Sequence, residues 1–433
     1  MTGTTAPESK HPRRPGPRPL PLHLSTAAMT WLSSAAALPF LRSGSLATDG
    51  PELASLAAQP WHRSLQARVD ELVPDLQAAD PDKLAAAVGR EVRRRLDEFE
   101  RGLTRYRKHP YRRDVSLPRA VWRDGTTALR DYAGIEGAPV DGQPLLVVPS
   151  LVNRAYVLDL TSERSLLRFL CRAGFRPFLV DWDRPGPRER RFDLGDYVAG
   201  RLAAALDVVI ERSGRKPAVI GYCMGGNLAL ALAQTRSADM AGLALLATPW
   251  DFHAERPDLG KATANAMTPW LPLIEALGEL PVDMLQSLFF ALDPFLGARK
   301  FRGFSRVDPD SSKAREFVAL EDWLNDGIPL SASVAKECIL GWYGENTPAR
   351  GEWRLRGRAV RPAALRLPTL IVVPEQDRIV PPASAMALAQ AMPHATLLKP
   401  PLGHIGMVVG SQANEALWQP LSRWLDLAKG QRL

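Results

Sequence analysis

Short aliphatic and β-branched runs alternate with longer stretches in which alanine and leucine recur at helical spacing. Pro144–Pro149, Pro177–Asp181, Ala218–Gly221, Gly242–Thr248, Leu370–Pro374 and Thr396–Lys399 read as strands. Ser165–Ala173, Leu194–Arg212, the run that follows Gly225 and Ala383–Met392 read as the helices between them. Strands and helices alternating at this spacing predict an α/β protein with a mostly parallel, doubly wound sheet. Thr127–Tyr132 adds an expected edge strand. From Pro249 to about Leu365 the alternation stops. That stretch is rich in leucine and aromatic residues and is broken by Pro257, Pro269, Pro272, Pro281, Pro294, Pro329 and Pro348. It contains two apolar helical patterns, Val282–Leu292 and Val334–Tyr343. An insertion at this point sits above the strand ends, where it can act as a cap.

The pattern ahead of the sheet is different. Met1 to about Leu20 is rich in proline, arginine and small polar residues, a composition that predicts disorder. Leu20–Leu41 reads as a weakly amphipathic segment. Pro21, His23, Thr26, Ser33, Ser34 and Pro39 interrupt it, so it is neither a signal peptide nor apolar enough to span a bilayer. Leu53–Leu103 reads as two helices, the second from Lys83, with the charged run Arg90–Leu96 on a solvent-facing side. The expected organisation is a disordered or weakly amphipathic segment over 1–50 and a helical region over 51–115. The α/β core then covers 116–250 and 366–433, divided by a cap over 251–365.

Composition narrows the class. Of 433 residues 45% are hydrophobic and 24% charged, as in an ordinary globular protein. The net charge of +8 suits a solvated basic surface or an anionic substrate. Basic and aromatic residues are not interleaved as nucleic-acid recognition requires, so no nucleic-acid partner is expected. Cys171, Cys223 and Cys338 lie far apart without metal-ligand spacing, which predicts a reducing compartment, no disulfide framework and no metal.

The chemistry concentrates at Gly221-Tyr222-Cys223-Met224-Gly225-Gly226, between a strand and a helix. Gly-x-Cys-x-Gly has the form of a nucleophile elbow with cysteine in the place of serine. Small residues two before and two after the nucleophile let a strained turn close. The helix start offers unpaired N–H groups and the positive end of a dipole, which favour a thiolate. The Met224 N–H would face the carbonyl oxygen under attack. The bland alternative is a buried cysteine in a glycine-rich turn. Downstream, Glu375 and Asp377 follow one strand, and Gly403-His404-Ile405-Gly406 follows the last. Nucleophile, acid, then histidine is the chain order of α/β-hydrolases. In that fold the loop after Pro144–Pro149 supplies a second oxyanion N–H, here from Leu151 or Val152. His394 rivals His404 as base, and Glu375 rivals Asp377 as acid.

Several motifs together resemble a known family. They are Leu151-Val152-Asn153-Arg154, Val180-Asp181-Trp182, Gly221–Gly226, Thr248-Pro249-Trp250-Asp251-Phe252, Asp377-Arg378-Ile379-Val380-Pro381 and Gly403-His404-Ile405. With Leu320–Asp326 they resemble polyhydroxyalkanoate synthases, cysteine-dependent members of the α/β-hydrolase superfamily. The resemblance spans about residues 105–425; the N-terminal hundred or so residues carry no matching motif. It implies Cys223 as nucleophile, His404 as general base and Asp377 as acid. It implies an acyltransferase that polymerises (R)-3-hydroxyacyl-CoA through an acyl-cysteine, releasing coenzyme A, with no cofactor beyond the thioester substrate. The same three residues would also serve a thioesterase, an esterase or an intracellular polymer depolymerase. Further implications are a cytoplasmic location, contact with polymer or its granule surface, and a homodimer or a synthase partner subunit.

Overall fold

The computed structural model describes residues 14–42, 68, 71–255 and 257–430. Of the disordered lead expected from Met1 to about Leu20, the part before residue 14 lies outside the described residues, as does most of the helix expected after Leu53. The described chain forms two compact units. One takes in the residues up to Pro110 together with Asp293–Val318, and the other takes in Tyr111–Leu292 and the chain from Ala319 onward.

The first unit is helical. Helix α1 covers Leu20–Arg42 and helix α2 covers Pro81–Lys108. Asp80 caps α2 by accepting hydrogen bonds from the N–H groups of Asp82 and Lys83, each 3.0 Å long, and Pro81 takes the first helical position. A third helix, Leu296–Phe304, packs on α2 through Phe301, whose ring meets those of Phe99 at 6.3 Å and Tyr106 at 5.6 Å. Gly102 lets the two backbones touch, since a Cβ there would overlap the Phe301 carbonyl. The charged run does turn Arg90, Arg93 and Arg94 outward. Beyond it, Glu98 is buried and gathers Arg94, Arg302 and Arg306. Among the described residues no helix is long and apolar enough to cross a membrane.

The second unit is built on an eight-stranded sheet. Its strands are β1 Ala120–Asp124, β2 Thr127–Asp131, β3 Gln143–Val148, β4 Phe175–Asp181, β5 Ala218–Tyr222, β6 Gly242–Leu246, β7 Thr369–Val372 and β8 Thr396–Leu398. The spatial order is β1-β2-β4-β3-β5-β6-β7-β8. Strands β3 to β8 run parallel, while β2 lies antiparallel to β4 and β1 antiparallel to β2. Thr127–Asp131 is therefore not the edge strand that its pattern suggested. Ala120–Asp124 lies outside it, joined by a turn in which Gly125 has φ +57°. That strand ends in Arg123 and Asp124 and carries a bulge, so it lacks the alternation of a half-buried strand.

Strands β3 to β7 are buried on both faces, as β/α alternation requires, while the last strand, β8, is largely exposed. Leu146, Val148, Val180 and Val219 enter one core; Leu145, Val147, Leu179 and Ile220 enter the other. Helix α3, Met224–Arg236, leaves β5 and is buried through Ala233. Between β6 and β7 lies the insertion expected as a cap over 251–365, with helices Pro257–Met267, Leu271–Leu277 and Val282–Leu292; it is not one continuous piece of this unit, since Asp293–Val318 belongs to the first. Two of the expected helices contain π-helical segments. Asp196–Leu202 precedes Ala203–Ser213, and Glu337–Gly344 follows Ala332–Lys336 in the cap.

Candidate active site

Chain order and strand order together locate the site. From β3 the chain moves to β4 on one side, then crosses to β5 on the other. The crevice at the C-terminal ends of β3 and β5 is the switch point at which open α/β sheets bind ligands. Cys223 follows β5 and the Ser150–Val152 loop follows β3.

Cys223 has φ 56° and ψ −129°, a conformation unfavourable for a residue with a Cβ. Its N–H donates to the Leu246 carbonyl at 2.8 Å, and its carbonyl accepts from Gly226 N–H at 2.8 Å. Two glycines make this turn possible. A Cβ on Gly221 would stand 2.5 Å from Gly226 Cα, and one on Gly225 would lie 2.6 Å from the Pro149 carbonyl oxygen and closer still to that of Val148. Gly225 thus lets the start of α3 rest against the end of β3. This sets the Met224 N–H, one of the unpaired donors of a helix start, beside the loop that carries Leu151. The Val152 N–H donates to Ser150 Oγ at 3.2 Å, so within that loop this N–H is already engaged.

His404 and Asp377 are both buried. His404 Nδ1 lies 2.6 Å from Asp377 Oδ2, while Asp377 Oδ1 accepts from the N–H groups of Ile379 at 2.8 Å and Val380 at 2.9 Å. The carboxylate is thereby fixed in place and satisfied. The Cys223 sulfur lies near enough to act electrostatically on the imidazole. Burial alone lowers the pKa of His404. The negative charge of a Cys223 thiolate and the hydrogen bonds to Asp377 and Cys223 outweigh burial and raise it to about 10. The structure therefore brings a thiol near an imidazole that is hydrogen-bonded to a carboxylate, at an elbow.

The rivals lie elsewhere. His394 is exposed, and Glu375 is exposed and pairs with Lys399. Cys171 is buried away from solvent, and Cys338 lies in the π-helical cap segment. Sequence reasoning passed over Tyr222, whose hydroxyl donates to the His404 carbonyl at 3.2 Å and whose ring lies 5.1 Å from the imidazole. Its position next to the nucleophile was the only available signal. Ser384 was also missed: its Oγ accepts from Trp250 N–H at 3.2 Å, and its carbonyl accepts from Asp251 N–H at 3.3 Å.

The loop after β3 is tied to the cap. Arg154 pairs with Asp183 and, at 3.3 Å, with Asp326. Trp323 Nε1 donates to the Arg154 carbonyl at 2.8 Å, and Ile328 N–H donates to the Val152 carbonyl at 3.1 Å. A shallow cleft lined by Leu151, Trp182, Tyr197, Ile328 and Val334 does not include the thiol. Among the described residues no group of three His, Cys, Asp or Glu side chains could hold a metal ion.

Comparison with known proteins agrees with this layout. A family profile of the alpha/beta hydrolase fold matches residues 143–411, and one for the N-terminus of poly-beta-hydroxybutyrate polymerase matches residues 115–170. The poly(3-hydroxyalkanoate) polymerase subunit PhaC of Synechocystis is 31% identical over 318 residues, 71% of this chain and 83% of that protein. The PhaC subunit of Allochromatium vinosum is 29% identical over 323 residues, 72% of this chain and 89% of its own length. Among solved structures, a monoacylglycerol lipase of Paleococcus ferrophilus aligns with a TM-score of 0.43 and 17% identity, covering 70% of this chain and 99% of the lipase. On the likeness to the Synechocystis subunit and the two profiles, the chain belongs to the poly(3-hydroxyalkanoate) polymerase family, on an α/β-hydrolase fold.

Proposed function

We propose that this protein polymerises (R)-3-hydroxyacyl-CoA into polyhydroxyalkanoate through an acyl-enzyme on Cys223, with His404 and Asp377 as its partners. The observation that carries this reading is the Cys223 thiol at the elbow beside His404, itself hydrogen-bonded to Asp377, in a chain of the polymerase family. His404 takes the thiol proton, and the thiolate attacks the thioester carbonyl. N–H groups of Met224 and Leu151 hold the oxyanion. The C–S bond to coenzyme A breaks, and His404 returns its proton to the leaving thiolate. The acyl group now sits on Cys223 and the imidazole is neutral. It accepts the proton of the 3-hydroxyl of a second acyl unit as that oxygen attacks the acyl-cysteine. Cys223 leaves as thiolate, and the imidazolium–thiolate pair is restored.

Thiol and thioester exchange at nearly equal energy, so loading is reversible, and the attack by hydroxyl gives the sequence its direction by forming the ester. Water competes at that second step, which gives the cap a purpose: to exclude it. The product places the working protein at a polymer surface, alone, as a homodimer or with a partner subunit. No resident cofactor is required.

The test is incubation of the purified protein with (R)-3-hydroxybutyryl-CoA, beside Cys223→Ala. Thiol release and chloroform-soluble polymer are measured together. Both are expected from the wild type and neither from the variant. Thiol release with only free hydroxy acid would replace this reading with a thioesterase or esterase on the same three residues.

A further inference from the structure

Tyr222 does more than precede the nucleophile. Side chains alternate along β5, so Ala218, Ile220 and Tyr222 enter one core, while α3, which follows Cys223, packs in the other. The Tyr222 ring therefore lies in the core that holds Leu246, Val372, Met407 and Val408, where the chain returns after β8. It is 4% exposed. A buried phenol needs a partner for its O–H, and here the His404 carbonyl accepts it at 3.2 Å. The neighbouring carbonyls are used locally. That of Gly403 accepts from Met407 N–H at 3.0 Å, and that of Ile405 accepts from Val408 and Val409 N–H at 3.0 and 3.1 Å. The phenol thus ties the turn that carries His404 to the residue next to Cys223.

The ring makes a second contact. Its centroid lies 5.1 Å from that of the His404 imidazole, with the two planes inclined by 33°. At this distance an aromatic face attracts a cation, so the ring favours the imidazolium over the neutral imidazole. The ionisable groups acting on the same imidazole are Cys223 and Asp377, and both favour its positive charge. Burial, then Cys223 and Asp377, push the Tyr222 phenol well above the ordinary tyrosine value, so it keeps its proton and its bond to His404 through the neutral range. A close-packed ring bonded at its tip cannot follow a displaced His404 without losing the bond or opening a void.

We propose that Tyr222 is a positioning residue: its hydroxyl on the His404 carbonyl holds the base in place beside the nucleophile, and its ring stabilises the positive charge that the base acquires. The proposal rests on the acyl-transfer reading for the reaction it serves, but the hold on His404 is a property of the base itself. In that reaction the imidazole takes a proton twice, from the thiol and from the 3-hydroxyl, and each time gains the charge that the ring faces. Tyr222→Phe keeps the ring and removes the anchor. Tyr222→Leu removes both.

The test uses the full chain as wild type, Tyr222→Phe and Tyr222→Leu, with Tyr132→Phe as control. Tyr132 also buries a phenol, bonded to Asp159 at 3.0 Å, but its N–H binds the Pro177 carbonyl near the start of β4, at the opposite end of the strands from Cys223. One measurement is the titration of the His404 ring nitrogens by their chemical shifts, without substrate. The other is kcat and KM for (R)-3-hydroxybutyryl-CoA. Tyr222→Phe should lower kcat by about 10-fold or more and leave KM within about twofold, because a displaced base costs rate rather than binding. Tyr222→Leu should lower kcat further and move the His404 titration down by about half a unit or more. Tyr132→Phe should change neither. Full kcat in Tyr222→Phe, an equal loss in Tyr132→Phe, or an unmoved titration in Tyr222→Leu would overturn the proposal. If Tyr222→Leu does not fold, the split between kcat and KM in Tyr222→Phe decides. A titration that moves as expected while the wild type consumes no thioester would uphold the hold on His404 and refute the acyl-transfer reading. Polymer formation that neither Tyr222 variant slows would do the reverse.

Discussion

At the scale of single residues, the proposed acyl transfer turns on the protonation of His404. Two of the influences that hold its pKa near 10, the charge of the Cys223 thiolate and the hydrogen bond to that sulfur, exist only while the sulfur is free. In the proposed mechanism acylation of Cys223 removes both. The imidazole then becomes easier to deprotonate once coenzyme A has left, when the mechanism needs a neutral base for the 3-hydroxyl. Asp377 supplies the part that persists. Asp377→Asn keeps the shape but loses the negative charge, so the His404 pKa in the resting protein should fall from about 10 toward the ordinary 6.5. Ring-nitrogen chemical shifts of His404, followed against pH, would show it. Chain elongation in the same variant should slow by about 10²- to 10⁴-fold. An unchanged titration would mean that Asp377 does not hold the imidazole proton.

At the scale of elements, the candidate site includes a loop held by residues remote in sequence. Arg154, on the loop that carries Leu151, reaches Asp326 across 172 positions, and Trp323 binds the carbonyl of the same arginine. Arg154→Ala removes the paired guanidinium and frees one side of the loop. The oxyanion donor is then held less firmly, and turnover should fall by about 10-fold, less than the loss from removing an oxyanion donor outright. KM should change little, because the loop acts on the transition state. A variant with full kcat would show that the backbone contacts Trp323–Arg154 and Ile328–Val152 suffice to position the loop.

These same elements mark the limit of what the sequence discloses. The parallel strands are readable because burial on both faces writes near-continuous aliphatic runs, as in Leu145–Val148 and Leu243–Leu246. The elbow is readable because Gly221 and Gly225 answer to steric demands that no other residue meets. Strand β1 is not readable, since an edge strand with charges and a bulge lacks a regular period. Nor is the Arg154–Asp326 pair, whose meaning lies in contacts that periodicity does not encode. Tyr222 lies between these cases: next to the nucleophile in sequence, yet bonded to His404 across 182 positions.

At the scale of the whole molecule, the cap makes a stability prediction through Glu337. This residue opens the π-helical segment Glu337–Gly344, and its Oε1 accepts from Trp353 Nε1 at 2.8 Å. Burial raises its pKa from 4.5 to about 7, with Asp193 adding to the rise and the Trp353 bond opposing it. A carboxyl group whose folded pKa lies above its unfolded value keeps its proton in the fold after the unfolded chain has lost it. Between about pH 4.5 and 7 the folded state binds more protons, so stability must fall as pH rises through that window. Glu337→Gln preserves the acceptor for Trp353 and cannot ionise. The melting temperature of the variant, relative to wild type, should therefore climb between pH 5 and pH 8 by a few degrees, at about 2–4 °C per kcal/mol. Above pH 7 the difference should level off. Parallel curves across the range would mean that Glu337 ionises in the folded cap without cost, and that its contact with Trp353 does not exclude water.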